Sequence, residues 1–351
     1  MDVKYDLDYM VEFMVKLLKT PSPTGDTIKA LNLVEEELAK YGLKAHKNAK
    51  NGFYVTVEGE DDEEQVTLSA HVDTLGCMVK DITGNGRLKL TKLGGYPWNV
   101  IEGCECVIST IDDGEYTGTI LTNVSSTHVY GAKADETKRD EDSMEIRIDE
   151  KVSSREDVEK LGINVGDYVY LYPGTWVTPS GFIKSRHLDD KACVAVLVGL
   201  VKYLKENNIK PKHTTNFFIS NYEELGHGSS AGLPEKTVEF IAVDMAAPGT
   251  GQTSSEFKCT VCVKDSSGPY DKMMSEKLIK LARKNDIPYA IDIYPYYGSD
   301  ASAVLRAGWN VRAALIGPGV DASHSFERTH KEAVDATFRL ALAYLLSLIH
   351  I

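Results

Sequence analysis

The chain has 351 residues, 42% hydrophobic and 26% charged, which excludes a wholly disordered protein and leaves room for one large domain or a large and a small one. Its 52 acidic against 39 basic residues give a formal net charge of −13, with no long basic run to suit nucleic acid or an anionic membrane surface. Six cysteines (Cys77, Cys104, Cys106, Cys193, Cys259, Cys262) are too sparse for a disulfide framework and make the cytoplasm the expected compartment.

The first eighteen residues mix acids with apolar side chains, unlike a signal or transit peptide. Leu7, Met10, Met14, Leu17 and Leu18 recur at helical spacing until Pro21 and Pro23 stop the helix. After a turn at Gly25, a second amphipathic helix turns Leu31, Val34 and Leu38 inward. Phe53–Val57 alternates as a strand, and residues 66–70 are a second strand after an acidic loop at 60–64. From about residue 75 the pattern changes to short β-type runs at 88–90, 106–109, 117–121, 144–148 and 168–172, with one helical piece near 154–161. Helix–strand alternation returns past Gly181: helices at 190–204 and 273–284, strands at 216–220, 240–244, 289–293 and 311–316, and a long helix after His330. The apolar stretch 340–349 is too short to cross a bilayer and reads as part of a buried terminal helix. An α/β body interrupted by an all-β insertion is the simplest architecture.

Chemistry concentrates where predicted strands end, the usual place for sites in open α/β sheets. The sequences are SAHVD at 69–73, HLDDK at 187–191, SNYEELG at 220–226, AVDM at 242–245 and SHSFE at 323–327. Two imidazoles and several carboxylates, without cysteine, suit a divalent metal such as zinc, cobalt or manganese. A carboxylate can bridge two ions about 3.5–4 Å apart, a geometry that serves hydrolysis. Glu223 and Glu224 suit a division into base and ligand, provided a turn after the strand directs both at the metals.

Each motif alone is common, but five in this order are specific. The stretches SAHVDTLG at 69–76, KSRHLDDKA at 184–192, SNYEELGHGS at 220–229, AVDM and SHSFERTH at 323–330 resemble the tetrahedral aminopeptidases, cytoplasmic dinuclear metallopeptidases, over essentially the whole chain. The resemblance implies a mixed-sheet α/β sandwich of the dinuclear exopeptidase type, formed by residues 1–75 and 180–351, with a β-barrel-like dimerisation domain inserted at 76–179. It implies two divalent ions per subunit: Asp189 bridges, His71 and Asp244 complete one site, and Glu224 and His324 the other. Glu223 matches the general base, and Asp73 the carboxylate that orients the His71 ring. The implied activity is removal of N-terminal residues from short peptides by a metal-activated water, in a dodecamer built from dimers.

Other features have plainer readings. His46, His128, His213 and His350 have no ligand pattern, His187 and His227 are hydrogen-bonded neighbours of the site, and His330 starts the final helix. The Cys104/Cys106 and Cys259/Cys262 pairs are buried thiols rather than a zinc site. Gly84–Gly86 and Gly317–Gly319 lack the lysine and serine of a phosphate loop and are turns. The aromatic run 289–297 is a core strand with an exposed edge, or alternatively a substrate wall. A polysaccharide hydrolase and a non-catalytic metal-binding scaffold are the rival functions; the imidazoles count against the first and Glu223 against the second.

Overall fold

A computed structural model describes residues 5–347. His350 and the end of the apolar stretch 340–349 lie outside the described residues. The chain begins with α1 (Leu7–Leu18) and α2 (Ile28–Ala39). Asp6 caps α1, its carboxylate accepting from the Tyr9 backbone N–H, and the helix buries Met10, Met14, Leu17 and Leu18. Strands β1 (His46–Lys47), β2 (Phe53–Val57) and β3 (Asp61–His71) follow. The acidic stretch expected as a loop is the first half of β3 instead. His213 Nδ1 hydrogen-bonds Asp61 at 3.0 Å and Lys236 pairs with Asp62 at 2.6 Å, so polar partners from neighbouring segments hold the acidic half in the sheet.

Thr74–Pro173 forms a separate compact unit. Its strands β4 (Gly76–Ile82), β5 (Leu88–Leu93), β6 (Glu105–Ser109), β7 (Glu115–Thr122), β8 (Met144–Ile148) and β9 (Tyr168–Leu171) close a barrel in the order β4-β5-β8-β7-β6-β9. Val79, Leu90, Ile108, Ile120, Ile146 and Val169 fill its core. Three short helices decorate it, α3 (Thr127–Tyr130), α4 (Ala132–Glu136) and α5 (Arg155–Glu159). The sequence reading lacked β4, because a bulge between Val79 and Asp81 breaks its alternation.

The chain then re-enters the larger unit with β10 (Trp176–Val177), β11 (Phe182–Ser185), α6 (Leu188–Glu206), β12 (His213–Ser220), β13 (Thr237–Val243), β14 (Cys259–Asp265) and β15 (Gly268–Pro269). It closes with α7 (Lys272–Lys284), β16 (Tyr289–Ile293), α8 (Asp300–Arg306), β17 (Arg312–Pro318), β18 (Glu327–His330) and α9 (Lys331–Leu345). The main sheet runs β1-β2-β12-β3-β13-β17-β14-β15, with β16 on β14, and it is mixed. Its centre, β12, β3, β13 and β17, is parallel, so four C-terminal ends gather at one edge.

Alternation along the strands makes two cores. Leu68, Phe217, Ile219, Ile241 and Ile316 share one cluster with α6 and α9, while Phe218, Phe240, Ala242 and Leu315 share another with Val304 of α8. Helix α6 is buried on nearly every side through Val201, as its almost uninterrupted apolar run requires. The architecture is thus a mixed-sheet α/β sandwich carrying an inserted small antiparallel barrel. No described helix is long and apolar enough to cross a membrane. All six cysteines are free and buried, and burial pushes the Cys77, Cys259 and Cys262 thiols up to about 12.

Candidate active site

Each parallel strand of the sheet centre delivers a polar group just past its end. His71 closes β3, Glu223 and Glu224 follow β12, Asp244 follows β13 and His324 follows β17, while Asp189 stands at the start of α6. They fall into two groups of potential ligand atoms within 4.8 Å of one another, His71, Glu223 and Asp244, and Asp189, Glu224 and His324, and Asp189 and Asp244 form a third such group with Asp190. Asp189 joins the first two. Its Oδ1 lies 3.0 Å from His71 Nε2 and its Oδ2 lies 3.3 Å from His324 Nε2.

The adjacent glutamates reach different groups because the strand conformation stops before them. Tyr222 is left-handed at φ 71°, and Glu223–Leu225 form one 3-10 turn. Glu223 Oε2 comes 3.6 Å from His71 Nε2, and Glu224 Oε2 comes 3.5 Å from His324 Nε2. Five of the six side chains, all but the buried His71, border a pocket of about 360 Å³, whose wall includes Tyr296, Tyr297 and Arg306. The aromatic run therefore has two parts: Tyr289–Ile293 is a strand paired with β14, and Tyr296 and Tyr297 wall the pocket.

Asp73 differs from expectation. The His71 Nδ1 partner is the Asp73 backbone carbonyl at 2.9 Å, and the Asp73 carboxylate stands off at 3.7 Å. That carboxylate accepts from Thr24 Oγ1 at 2.7 Å and from the backbone N–H groups of Glu223 and Glu224 at 3.1 and 3.3 Å. It thus anchors the glutamate turn, while the carbonyl fixes the imidazole tautomer and leaves Nε2 facing the Asp189 and Glu223 carboxylates.

Sequence reasoning missed several supports. Glu327 is buried and accepts from the Asp189 and His324 backbone N–H groups, at 3.1 and 3.0 Å. Asp190, joined to Asp189 by a cis peptide, accepts from the His71 backbone N–H at 3.2 Å. Lys191, 1% exposed, donates to the carbonyls of Leu17 and Thr20, tying α6 to the end of α1. Only Glu327, three residues after His324, had a local signal; the other contacts depend on topology. Among the remaining histidines, His330 caps α9, His227 stacks on Tyr222 and His213 bonds Asp61. No candidate metal group among the described residues contains a cysteine.

The carboxylates crowd one another away from water. Burial and the neighbouring Asp189 push Glu224 up to about 8 and Asp244 to about 7, and burial drives Glu223 well above the usual range. Burial alone would raise Asp189, but hydrogen bonds from His324 and His71 hold it low. Burial also opposes charge on His71, yet the Glu223 and Asp189 carboxylates raise it well above the ordinary imidazole value. This donor set fits divalent cations, and Glu224 Oε1 is buried without a hydrogen-bond partner, as an oxygen reserved for a cation would be.

The raised groups set the pH response of the metal-free protein. Unfolded, the Glu224 and Asp244 carboxyls return to about 4, so from there up to about pH 8 the folded state binds more protons. His71 adds to the same trend. Stability is therefore present at low pH and lost on going up. Calorimetry of chelator-treated protein should show a melting temperature that falls by several degrees between about pH 5.5 and about pH 8.5, and zinc should abolish the decline. A metal-free melting temperature that rises over that range would contradict this picture of the site.

A mixed α/β sheet whose parallel strands present imidazoles and carboxylates in one pocket defines a protein of the metal-dependent hydrolase type. Residues 51–340 match the M42 glutamyl aminopeptidase profile, and the chain belongs to that family. It is similar to YhfE of Bacillus subtilis (strain 168), a protein named as an aminopeptidase, with 48% identity over 337 residues covering 96% of this chain and 97% of the relative. The TET aminopeptidase of Thaumarchaeota archaeon SCGC AB-539-E09 shares the fold at 19% identity and a TM-score of 0.87, covering 97% of each chain. So does the TET1 peptidase of Pyrococcus horikoshii, described as assembling into a tetrahedron or a large octahedral shell. It shares 21% identity at a TM-score of 0.84, over 97% of this chain and all of that one. The protein is a peptide hydrolase, a metal-dependent aminopeptidase acting on N-terminal residues.

Proposed function

We propose that the aminopeptidase holds two divalent cations, zinc, cobalt or manganese, with Asp189 shared between them. His71 and Asp244 would complete one site and Glu224 and His324 the other, with Glu223 left as general base. One observation carries this reading: Asp189 turns one oxygen toward each of the two histidines. Bound there, the cations would polarise the scissile carbonyl and acidify a water.

Everything else is done by the chain. Glu223 takes the proton of the attacking water and returns it to the departing amine, a role its position supports, since its carboxylate borders the pocket and lies 3.6 Å from His71 Nε2. The Asp73 carboxylate holds the Glu223 and Glu224 backbone in place, and the Asp73 carbonyl orients His71. Acidic lining suits the positive charge of a free amino end. The substrates are short peptides. The buried free thiols favour the cytoplasm. The reading includes a dodecamer built from dimers, the barrel unit supplying dimer contacts; its support is that the TET1 peptidase sharing the fold assembles into a tetrahedron or a large octahedral shell. The glycosidase reading lacks support, because Glu223 and Glu224 each face an imidazole rather than standing as a free pair.

The test is metal removal with a substrate pair. Exhaustive chelation should abolish nitroaniline release from alanyl-p-nitroanilide, and zinc, cobalt or manganese should restore it. N-acetylalanyl-p-nitroanilide and β-glucan should stay uncut by the restored enzyme. Turnover that survives chelation, or equal cleavage of the acetylated substrate, would defeat the proposal.

A further inference from the structure

Behind the glutamate turn lies a second buried carboxylate that faces neither group of potential ligands. Asp300, 2% exposed at the start of α8, accepts from Ser69 Oγ at 2.9 Å, Ser220 Oγ at 2.5 Å and the Ser229 backbone N–H at 2.7 Å. Ser69 lies two residues before His71, Ser220 three before Glu223, and Ser229 five after Glu224. One carboxylate therefore joins β3, β12 and the far side of the turn. With Asp73 bonded to the near side, the segment carrying both glutamates is strung between two buried acids.

Gly228 shows how close this packing is. A Cβ there would fall 2.4 Å from Asp300 Oδ1, 3.0 Å from Ser220 Oγ and 3.1 Å from Glu223 Cα. The carboxylate and the Glu223 backbone thus close on the same missing side chain. Lys50 completes the arrangement: its ammonium donates to the carbonyls of His227 and Gly228 and lies within the field of both Asp300 and Asp73. A buried carboxylate is costly to desolvate, and its charge-assisted bonds are stiffer than those of a neutral acceptor.

We infer that Asp300 is a positioning residue that fixes Glu223 for proton transfer. The inference rests on Glu223 being the base. Kinetics of full-length, zinc-loaded D300A, D300N, G228A, E223Q and the D300A/E223Q double variant test it. D300A should lower kcat about 100-fold with KM changed less than about threefold, and G228A should do the same by displacing the turn. D300N keeps the shape and part of the bonding, and should hold kcat within about tenfold of wild type. Zinc stoichiometry by titration calorimetry should match wild type in every one of these variants. In the E223Q background, D300A should cost less than about threefold more, because its effect passes through Glu223.

Losses that multiply in the double variant, or a KM rise at unchanged kcat, would overturn the role of Asp300 while leaving Glu223 as base. Near-normal turnover in E223Q alone would remove both. If D300A does not fold, D300N and G228A, alone and with E223Q, decide by the same criteria.

Discussion

Glu223→Gln should leave a folded protein with wild-type metal content whose kcat is lower by about 10³-fold. The substitution conserves shape, and the Asp73 carboxylate still holds the residue 223 backbone N–H. It removes the one property the reaction needs, a carboxylate able to take a proton beside the pocket. Glu223 shares its cluster with His71 and Asp244, so its geometry alone would also permit a ligand role. Metal analysis separates the two. A ligand loss strips the cation, whereas loss of a base leaves it bound with KM nearly unchanged and the pH dependence of kcat flattened. Near-wild-type turnover would remove Glu223 from the base role, and loss of metal would make it a ligand instead.

Local periodicity explains what was legible in the sequence. Phe53–Val57 and Tyr289–Ile293 were readable to the residue because each alternates between a buried and a more exposed face. The site motifs were legible for a related reason: the last part of each parallel strand is rich in buried apolar residues, so the polar residues at or just past its end stand out. His71, Glu223 and Asp244 each follow such a run. Partnerships set by topology were not legible. Thr24 meets Asp73, Ser220 meets Asp300 and Glu327 meets the Asp189 backbone, across 49, 80 and 138 residues of chain. The seven-residue α8 was missed because its apolar residues are too few to show a period. Asp73 illustrates the boundary: its position two residues after His71 was plain, but only the fold reveals that the carbonyl serves the imidazole and the carboxylate serves the glutamate turn.

Asp189→Asn should cost both metal and activity, whereas Asp190→Asn next to it should cost far less. The two acids are adjacent and buried, yet their surroundings give them opposite chemistry. Hydrogen bonds from two histidines keep Asp189 ionised against the effect of burial. Burial and the nearby Asp244 push Asp190 well above the usual carboxylate value, and its Oδ2 accepts from the His71 backbone N–H at 3.2 Å. An asparagine at 190 keeps an oxygen acceptor for that N–H. An asparagine at 189 removes the charge shared by His71 and His324 and replaces one oxygen with an amide nitrogen that cannot ligate. Its metal affinity should therefore fall by more than the ~100-fold typical of losing an outer partner of a metal ligand. Zinc content after gel filtration and kcat on alanyl-p-nitroanilide read both effects. If D189N retained two tightly held ions while D190N lost them, the shared ligand would be Asp190, and the assignment built on the two oxygens of Asp189 would fail.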